Sequence, residues 1–151
     1  MKKIASFTVD HDKLEKGMYI SRIDGDAVTY DIRMKKPNGG DYLSNRALHT
    51  FEHLFATYVR NSEFSESVIY VGPMGCLTGF YLILRDTVTH EQAIRLVQDS
   101  FRFVADFSGK IPGSERRECG NYLLHDLEGA KSVASDMIDV LKGYTTDKLN
   151  Y

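Results

Sequence analysis

The run Ala27-Val28-Thr29-Tyr30-Asp31-Ile32-Arg33-Met34 alternates in polarity, with Val28, Tyr30, Ile32 and Met34 on one side and Thr29, Asp31 and Arg33 on the other. A period of two marks a strand with one face buried, so this segment predicts a half-buried strand. Met18 to Arg22 reads as its partner, and Asp24-Gly25-Asp26 supplies the turn between them. Ser67 to Val71 and Thr78 to Arg85 form a second pair of β-rich runs, joined through Pro73 to Leu77. Elsewhere the periodicity is helical. Ser44, a good N-cap residue, opens a helix to about Asn61. Thr89, three residues before Gln92 in a capping-box arrangement, opens a second to about Phe107. A third spans about Leu127 to Leu141, with Leu127, Ala130, Ala134, Met137, Ile138 and Leu141 on one stripe. Strands that pair as hairpins with helices between the pairs predict a two-layer α+β fold, an antiparallel β-sheet with helices packed on one face.

Outside these elements the chain is punctuated, not divided. Its prolines, Pro37, Pro73 and Pro112, each sit beside Gly or Asn in loop-like stretches, and no repeat or low-complexity segment occurs. One domain over residues 1–151 is expected, large enough to bury a core without staples. The 19 Lys+Arg against 21 Asp+Glu leave a formal charge of −2, which excludes the electrostatic footprint of a nucleic-acid binder. No apolar run approaches the roughly 20 residues of a membrane span. Asp10, His11 and Asp12 interrupt the N-terminus where a secretory signal would be apolar. A cytoplasmic location is therefore expected. There the two cysteines, Cys76 and Cys119, point to metal binding or catalysis more than to a disulfide.

The segment His49-Thr50-Phe51-Glu52-His53 carries the most chemistry. At about 100° per residue, His49, Glu52 and His53 share one arc of the first helix. Ala47, Leu48, Phe51, Leu54, Phe55, Tyr58 and Val59 occupy an adjoining one. Histidines at i and i+4 stand one turn apart, close enough for both to reach one metal ion. Ala56 on the same face leaves room for a ligand to approach, and Arg60 points the same way. Such a pair can also merely decorate a solvated helix, but His-x-x-Glu-His is the inverted zincin order. A site needs a third ligand, and Cys119, just before the third helix, is the candidate. Two imidazoles and a thiolate suit Zn²⁺ or Fe²⁺ and suit Mg²⁺ or Ca²⁺ poorly. Three protein ligands would leave a coordination position open, as in catalytic sites. Cys76, flanked by glycines in Gly75-Cys76-Leu77-Thr78-Gly79, reads either as a small apolar turn residue or as an acid/base or nucleophilic thiol beside a cation.

Several segments, in order along the chain, resemble the signatures of the S-ribosylhomocysteine lyase (LuxS) family. They are Ser6-Phe7-Thr8-Val9-Asp10-His11, Asp31-Ile32-Arg33 with Pro37-Asn38, His49 to Leu54, Pro73 to Gly79, Cys119-Gly120 and His125 to Ala130. The resemblance implies a LuxS/inverzincin-like fold and a homodimer with active sites at the subunit interface. It implies cleavage of S-ribosylhomocysteine to homocysteine and 4,5-dihydroxy-2,3-pentanedione, the autoinducer-2 precursor, in methionine recycling and quorum sensing. It also implies one non-redox Fe²⁺ per subunit, with Zn²⁺ or Co²⁺ able to substitute. His49, His53 and Cys119 would be its ligands, Cys76 and Glu52 the acid/base pair, and Ser6, His11, Arg33 and Arg60 would line the substrate pocket. The chain departs from the family at Lys36 and Glu118, where Gln is common, and at Tyr70, where Asp is common. The principal rival is an inverted-zincin metallopeptidase with Glu52 as base. A second is a non-catalytic metal-binding domain.

Overall fold

All of residues 1–151 are described by the structure, a computed structural model. Strand β1 (Gly17–Asp24) turns through Gly25, whose φ of 60° favours glycine, into β2 (Ala27–Arg33). Helix α1 (Asn45–Arg60) follows, then the hairpin β3 (Val68–Pro73) and β4 (Gly79–Arg85), and finally α2 (His90–Asp106) and α3 (Leu127–Leu141). The sheet is wholly antiparallel in the order β1-β2-β4-β3. The two hairpins therefore join through their second strands, with Tyr30 opposite Leu82 and Ile32 opposite Phe80. Where β2 leaves this pairing, Gly79 is needed for space, because a Cβ there would lie 2.1 Å from the Ile32 carbonyl oxygen.

The helices begin where their capping residues place them. The Ser44 side chain accepts from the Ala47 N–H, Thr89 and Gln92 form a reciprocal capping box, and Asp126 accepts from the Gly129 N–H. Met18, Val28, Tyr30, Ile32, Phe80, Leu82 and Leu84 of the sheet meet Phe51, Leu54 and Phe55 of α1, Phe101 of α2 and Met137 of α3 in one core cluster of 28 buried residues. Phe51 is at its centre, with its ring centroid 5.0 Å from that of Phe80 and 4.9 Å from that of Phe101. Burying that many apolar side chains on one face of α1 leaves only the opposite stripe of the helix for polar work.

The opposite face of β2 departs from the half-buried strand its alternation predicts. Asp31 and Arg33 are buried, at 1% and 3% exposure. They can leave water because they neutralise each other. Arg33 donates from Nε and Nη2 to the two carboxylate oxygens, at 3.1 and 2.6 Å, and from Nη1 to the Thr78 hydroxyl at 2.8 Å. Tyr151 closes the pair from outside. It stacks on Tyr19 and donates its hydroxyl to Asp31 Oδ2 at 2.7 Å. Burial and the Asp31 charge beside it push the Tyr151 phenol well above the ordinary tyrosine range. Burial alone would lower the Arg33 pKa, but Asp31 outweighs it and the shift is upward.

Removing one partner of a buried pair leaves the other charge uncompensated, at a cost of about 3–5 kcal/mol. Asp31→Ala is expected to lose stability on that scale in urea unfolding. Tyr151→Phe, which deletes one hydrogen bond, is expected to lose about 1–2 kcal/mol.

Candidate metal centre and a second, cysteine-bearing depression

His49 and His53 project from the solvent side of α1, their rings 4.6 Å apart and crossed at 85°. Each is held by a backbone carbonyl from the loop before α3. His49 donates its Nδ1–H to the Leu124 carbonyl at 2.6 Å, and His53 to the Pro112 carbonyl at 2.7 Å. A carbonyl can only accept, so both protons sit on Nδ1 and both Nε2 lone pairs are free. Those two nitrogens face one sulfur: Cys119 Sγ lies 3.4 Å from Nε2 of His49 and 3.9 Å from that of His53. The loop delivers the sulfur through a tight turn in which the N–H groups of Glu118 and Cys119 both donate to the Glu115 carbonyl. Gly113, with φ of 68°, lets that loop approach, since a Cβ there would stand 3.1 Å from Nδ1 of His53.

A fourth group, which the sequence motifs leave without a role, joins them. One ligating atom each from His49, His53, Cys119 and His125 all lie within 4.8 Å of one another. The Nε2 of His125 is the buried side-chain polar atom that has no hydrogen-bond partner, an exception in a protein interior that calls for an explanation. Burial and the neighbouring His49 and His53 rings push the His125 pKa down. Free imidazole lone pairs converging on a thiol fit a borderline-soft divalent ion. The signal for His125 in the sequence is slight: a histidine immediately before the Asp126 N-cap, opposite a threonine on the buried side of α1. Glu52, Glu118 and Ala56 line the same depression, whose volume is about 480 Å³.

The other chemically endowed residues lie apart from this cluster. Cys76, at the β3–β4 turn, shares a depression of about 220 Å³ with His11, Arg33, Asn38 and Tyr42. Its sulfur is 3.0 Å from the Thr78 hydroxyl and 3.9 Å from Nη1 of Arg33. Because Thr78 already accepts from Arg33, its own proton is free for the sulfur. An ionised Cys76 would thus meet two donors at once. The turn is strained to present it: Leu77 adopts φ of 63°, a left-handed conformation costing about 1–2 kcal/mol. That residue is held by a bond from its N–H to the Met74 carbonyl and by the Leu43 N–H on its own carbonyl. Ser6 lies over the outer face of the sheet with Tyr70 and Tyr81. Arg60, exposed at the end of α1, donates to the Ile69 carbonyl at 3.4 Å and lines neither depression. Asp31 and Thr78, which set Arg33 beside Cys76, lie inside segments that carry the family resemblance but have no role marked in the sequence.

Two imidazoles one helical turn apart, met by a distant thiol over an antiparallel sheet, define a class: metal-binding enzymes with the inverted zincin order on their helix. Within that class, the chain belongs to the S-ribosylhomocysteinase (LuxS) family, whose profile matches residues 4–147. Three proteins named S-ribosylhomocysteine lyase align with it end to end. That of Phocaeicola vulgatus is 51% identical, with 98% of its length covered. That of Porphyromonas gingivalis is 46% identical, with 99% covered. That of Clostridium acetobutylicum is 45% identical, again with 99% covered.

The donor set makes a direct prediction. His53→Ala and Cys119→Ala are expected to purify with less than a tenth of an equivalent of metal, whereas Cys76→Ala retains one equivalent per chain. Elemental analysis of the three variants checks it, and tight retention of a full equivalent by Cys119→Ala would contradict the ligand assignment.

Proposed function

We propose that the protein cleaves S-ribosylhomocysteine to homocysteine and 4,5-dihydroxy-2,3-pentanedione by moving the ribose carbonyl along the carbon chain and then eliminating the thioether sulfur. The observation that carries this reading is the convergence of His49, His53 and Cys119 beside Glu52 in a chain that belongs to the family. A divalent ion held by those three residues, iron(II) in this reading with zinc or cobalt able to substitute, would supply Lewis acidity to the sugar oxygens.

The remaining work falls to side chains of the protein. Each carbonyl shift removes a proton from one position and returns it to the next, so groups able to take and give protons must flank the sugar. Glu52, on the same helical face as the imidazoles, serves as one. Cys76 serves as the other, its thiolate stabilised by the Arg33 guanidinium and the Thr78 hydroxyl. The final step takes a proton from the carbon next to the carbonyl as the carbon–sulfur bond breaks, and homocysteine leaves as its thiolate. Arg33 has three of its N–H groups engaged by Asp31 and Thr78, so what it offers the pocket is a remaining Nη1 N–H, 3.9 Å from the Cys76 sulfur. His11 lines the same pocket. Ser6 and Arg60 are assigned to substrate binding on the resemblance. A peptidase reading leaves this whole second depression without a task.

The active unit in this reading is a homodimer. The depression with His49, His53 and Cys119 and the one with His11, Arg33 and Cys76 have no lining residue in common. Meanwhile Ile4, Phe7 and Tyr70, at 56%, 69% and 50% exposure, present apolar surface that a second copy would cover. Facing subunits would bring one depression of each chain together. Both cysteines are free thiols, in keeping with a reducing, cytoplasmic setting, and no helix is long and apolar enough to cross a membrane. The diketone product is the precursor of autoinducer-2, which places the reaction between methionine recycling and quorum sensing.

Homocysteine release from S-ribosylhomocysteine, followed with a thiol reagent on anaerobically purified protein, tests the activity. The wild-type chain is expected to turn over and Cys76→Ala to fall at least 10³-fold, about the loss that accompanies removal of an essential acid/base group. Failure of the wild-type chain to release homocysteine would remove the proposal. Mixing subunits tests the dimer. Separately inactive Cys76→Ala and His53→Ala chains, unfolded and refolded together, are expected to regain activity in mixed dimers. A chain carrying both substitutions restores nothing. Absence of complementation would show that each site is built within one chain.

A further inference from the structure

His125 stands where a fourth ligand would, yet two features of its surroundings give it a different task. The first is ring geometry. Its imidazole is stacked on that of His49, with centroids 4.3 Å apart and planes within 14° of parallel. The lone pair of an imidazole nitrogen lies in the ring plane, so a bound zinc sits close to that plane at about 2.0–2.1 Å from the nitrogen. Rings in face-to-face contact are about 3.5 Å apart. Stacked in this way, the in-plane lone pairs of His49 and His125 run in separate, nearly parallel planes, so the two rings would not both hold one ion. His49 and His53 cross at 85° instead, and their planes can share one ion.

The second is hydrogen-bond accounting. Thr50 is completely buried, at 0% exposure. Its hydroxyl oxygen accepts the Asp126 N–H at 2.9 Å, so its own proton needs an acceptor. The one in reach is Nδ1 of His125, at 2.9 Å. A neutral imidazole that accepts at Nδ1 carries its proton on Nε2. That Nε2 is the atom without a partner, and with a proton it is a donor, not a free lone pair.

We propose that Thr50 locks His125 as an Nε2–H donor, and that His125 is a positioning residue for the Cys119 thiolate and not a ligand. The ligating atoms of the four residues lie within 4.8 Å of one another. Each Nε2 of His49 and His53 has a single lone pair, which a bound ion would take. A thiolate keeps lone pairs after it has bound an ion, so the sulfur is the acceptor that remains. The Nε2 of His125 makes no hydrogen bond in this structure, and an N–H donated from it to that sulfur as the cluster closes on an ion would draw off part of the thiolate charge and fix its direction, as outer partners of metal ligands do. The inference rests on the foregoing reading in taking His49, His53 and Cys119 as the ligands.

Two-bond ¹H–¹⁵N correlation spectra of the zinc-loaded protein, labelled at histidine, report the tautomers directly. A protonated Nδ1 is expected on His49 and His53 and a protonated Nε2 on His125. A protonated Nδ1 on His125, with its Nε2 shifted by zinc, overturns the proposal. In the cobalt-loaded protein, His125→Phe is expected to keep one equivalent of cobalt and to move the sulfur-to-cobalt charge-transfer band to lower energy. His125→Gln, which retains an N–H, is expected to reverse most of that shift. Loss of the cobalt or an unmoved band in His125→Phe refutes the donor role, and if that variant does not fold, the spectra of the unmutated chain decide. Zinc-loaded protein that shows the expected tautomers yet releases no homocysteine removes the lyase reading and leaves this one standing.

Discussion

The architecture turns on the fact that helix α1 can bury only one side. Phe51, Leu54 and Phe55 are fully enclosed between the sheet and the other helices, and Thr50 carries that enclosure round toward α3. What remains is a narrow stripe where His49, Glu52 and His53 must lie. A stripe by itself orients nothing, and two solvated imidazoles would turn freely. The carbonyls of Leu124 and Pro112 remove that freedom. Because both come from the loop that also bears Cys119, the same backbone that sets the ring protons delivers the sulfur. Orientation of the rings and delivery of the sulfur are thus one structural event.

The second depression is organised by charge in place of shape. Asp31 and Arg33 are tolerable out of water only as a pair, and the pair requires Thr78 and Tyr151 to complete its bonds. Through Thr78 and Nη1 the same network reaches Cys76. Tyr151 and a turn thiol are joined in this way by three intervening residues, Asp31, Arg33 and Thr78, without any helix contributing.

Most of the fold was legible in the sequence because its signals are local. Ser44 and Thr89 stand at the starts of their helices as N-caps, and the third helix runs from Leu127 to Leu141 as its stripe predicts. Strand ends moved by a residue or two, since pairing and not composition decides where a ladder stops. The burial of Asp31 and Arg33 was not legible. Polar residues on alternate positions read as solvent-facing, and only the tertiary arrangement of Thr78 and Tyr151 reverses that. At the site, the helical pair His49 and His53 announces itself by spacing, whereas His125 does not. Its significance depends on stacking against a ring 76 positions earlier and on a hydroxyl that looks like an ordinary core threonine.

The 70 positions between His49 and Cys119 carry a consequence for assembly. In an unfolded chain the imidazole pair, held four residues apart, is the sole part of the centre that can form by local helix growth. The sulfur arrives only after a long loop has closed, at an entropic cost that contacts between α1 and α3 must offset. Ion capture is consequently a late event, and the strength of the grip reports the integrity of the helix layer as a whole.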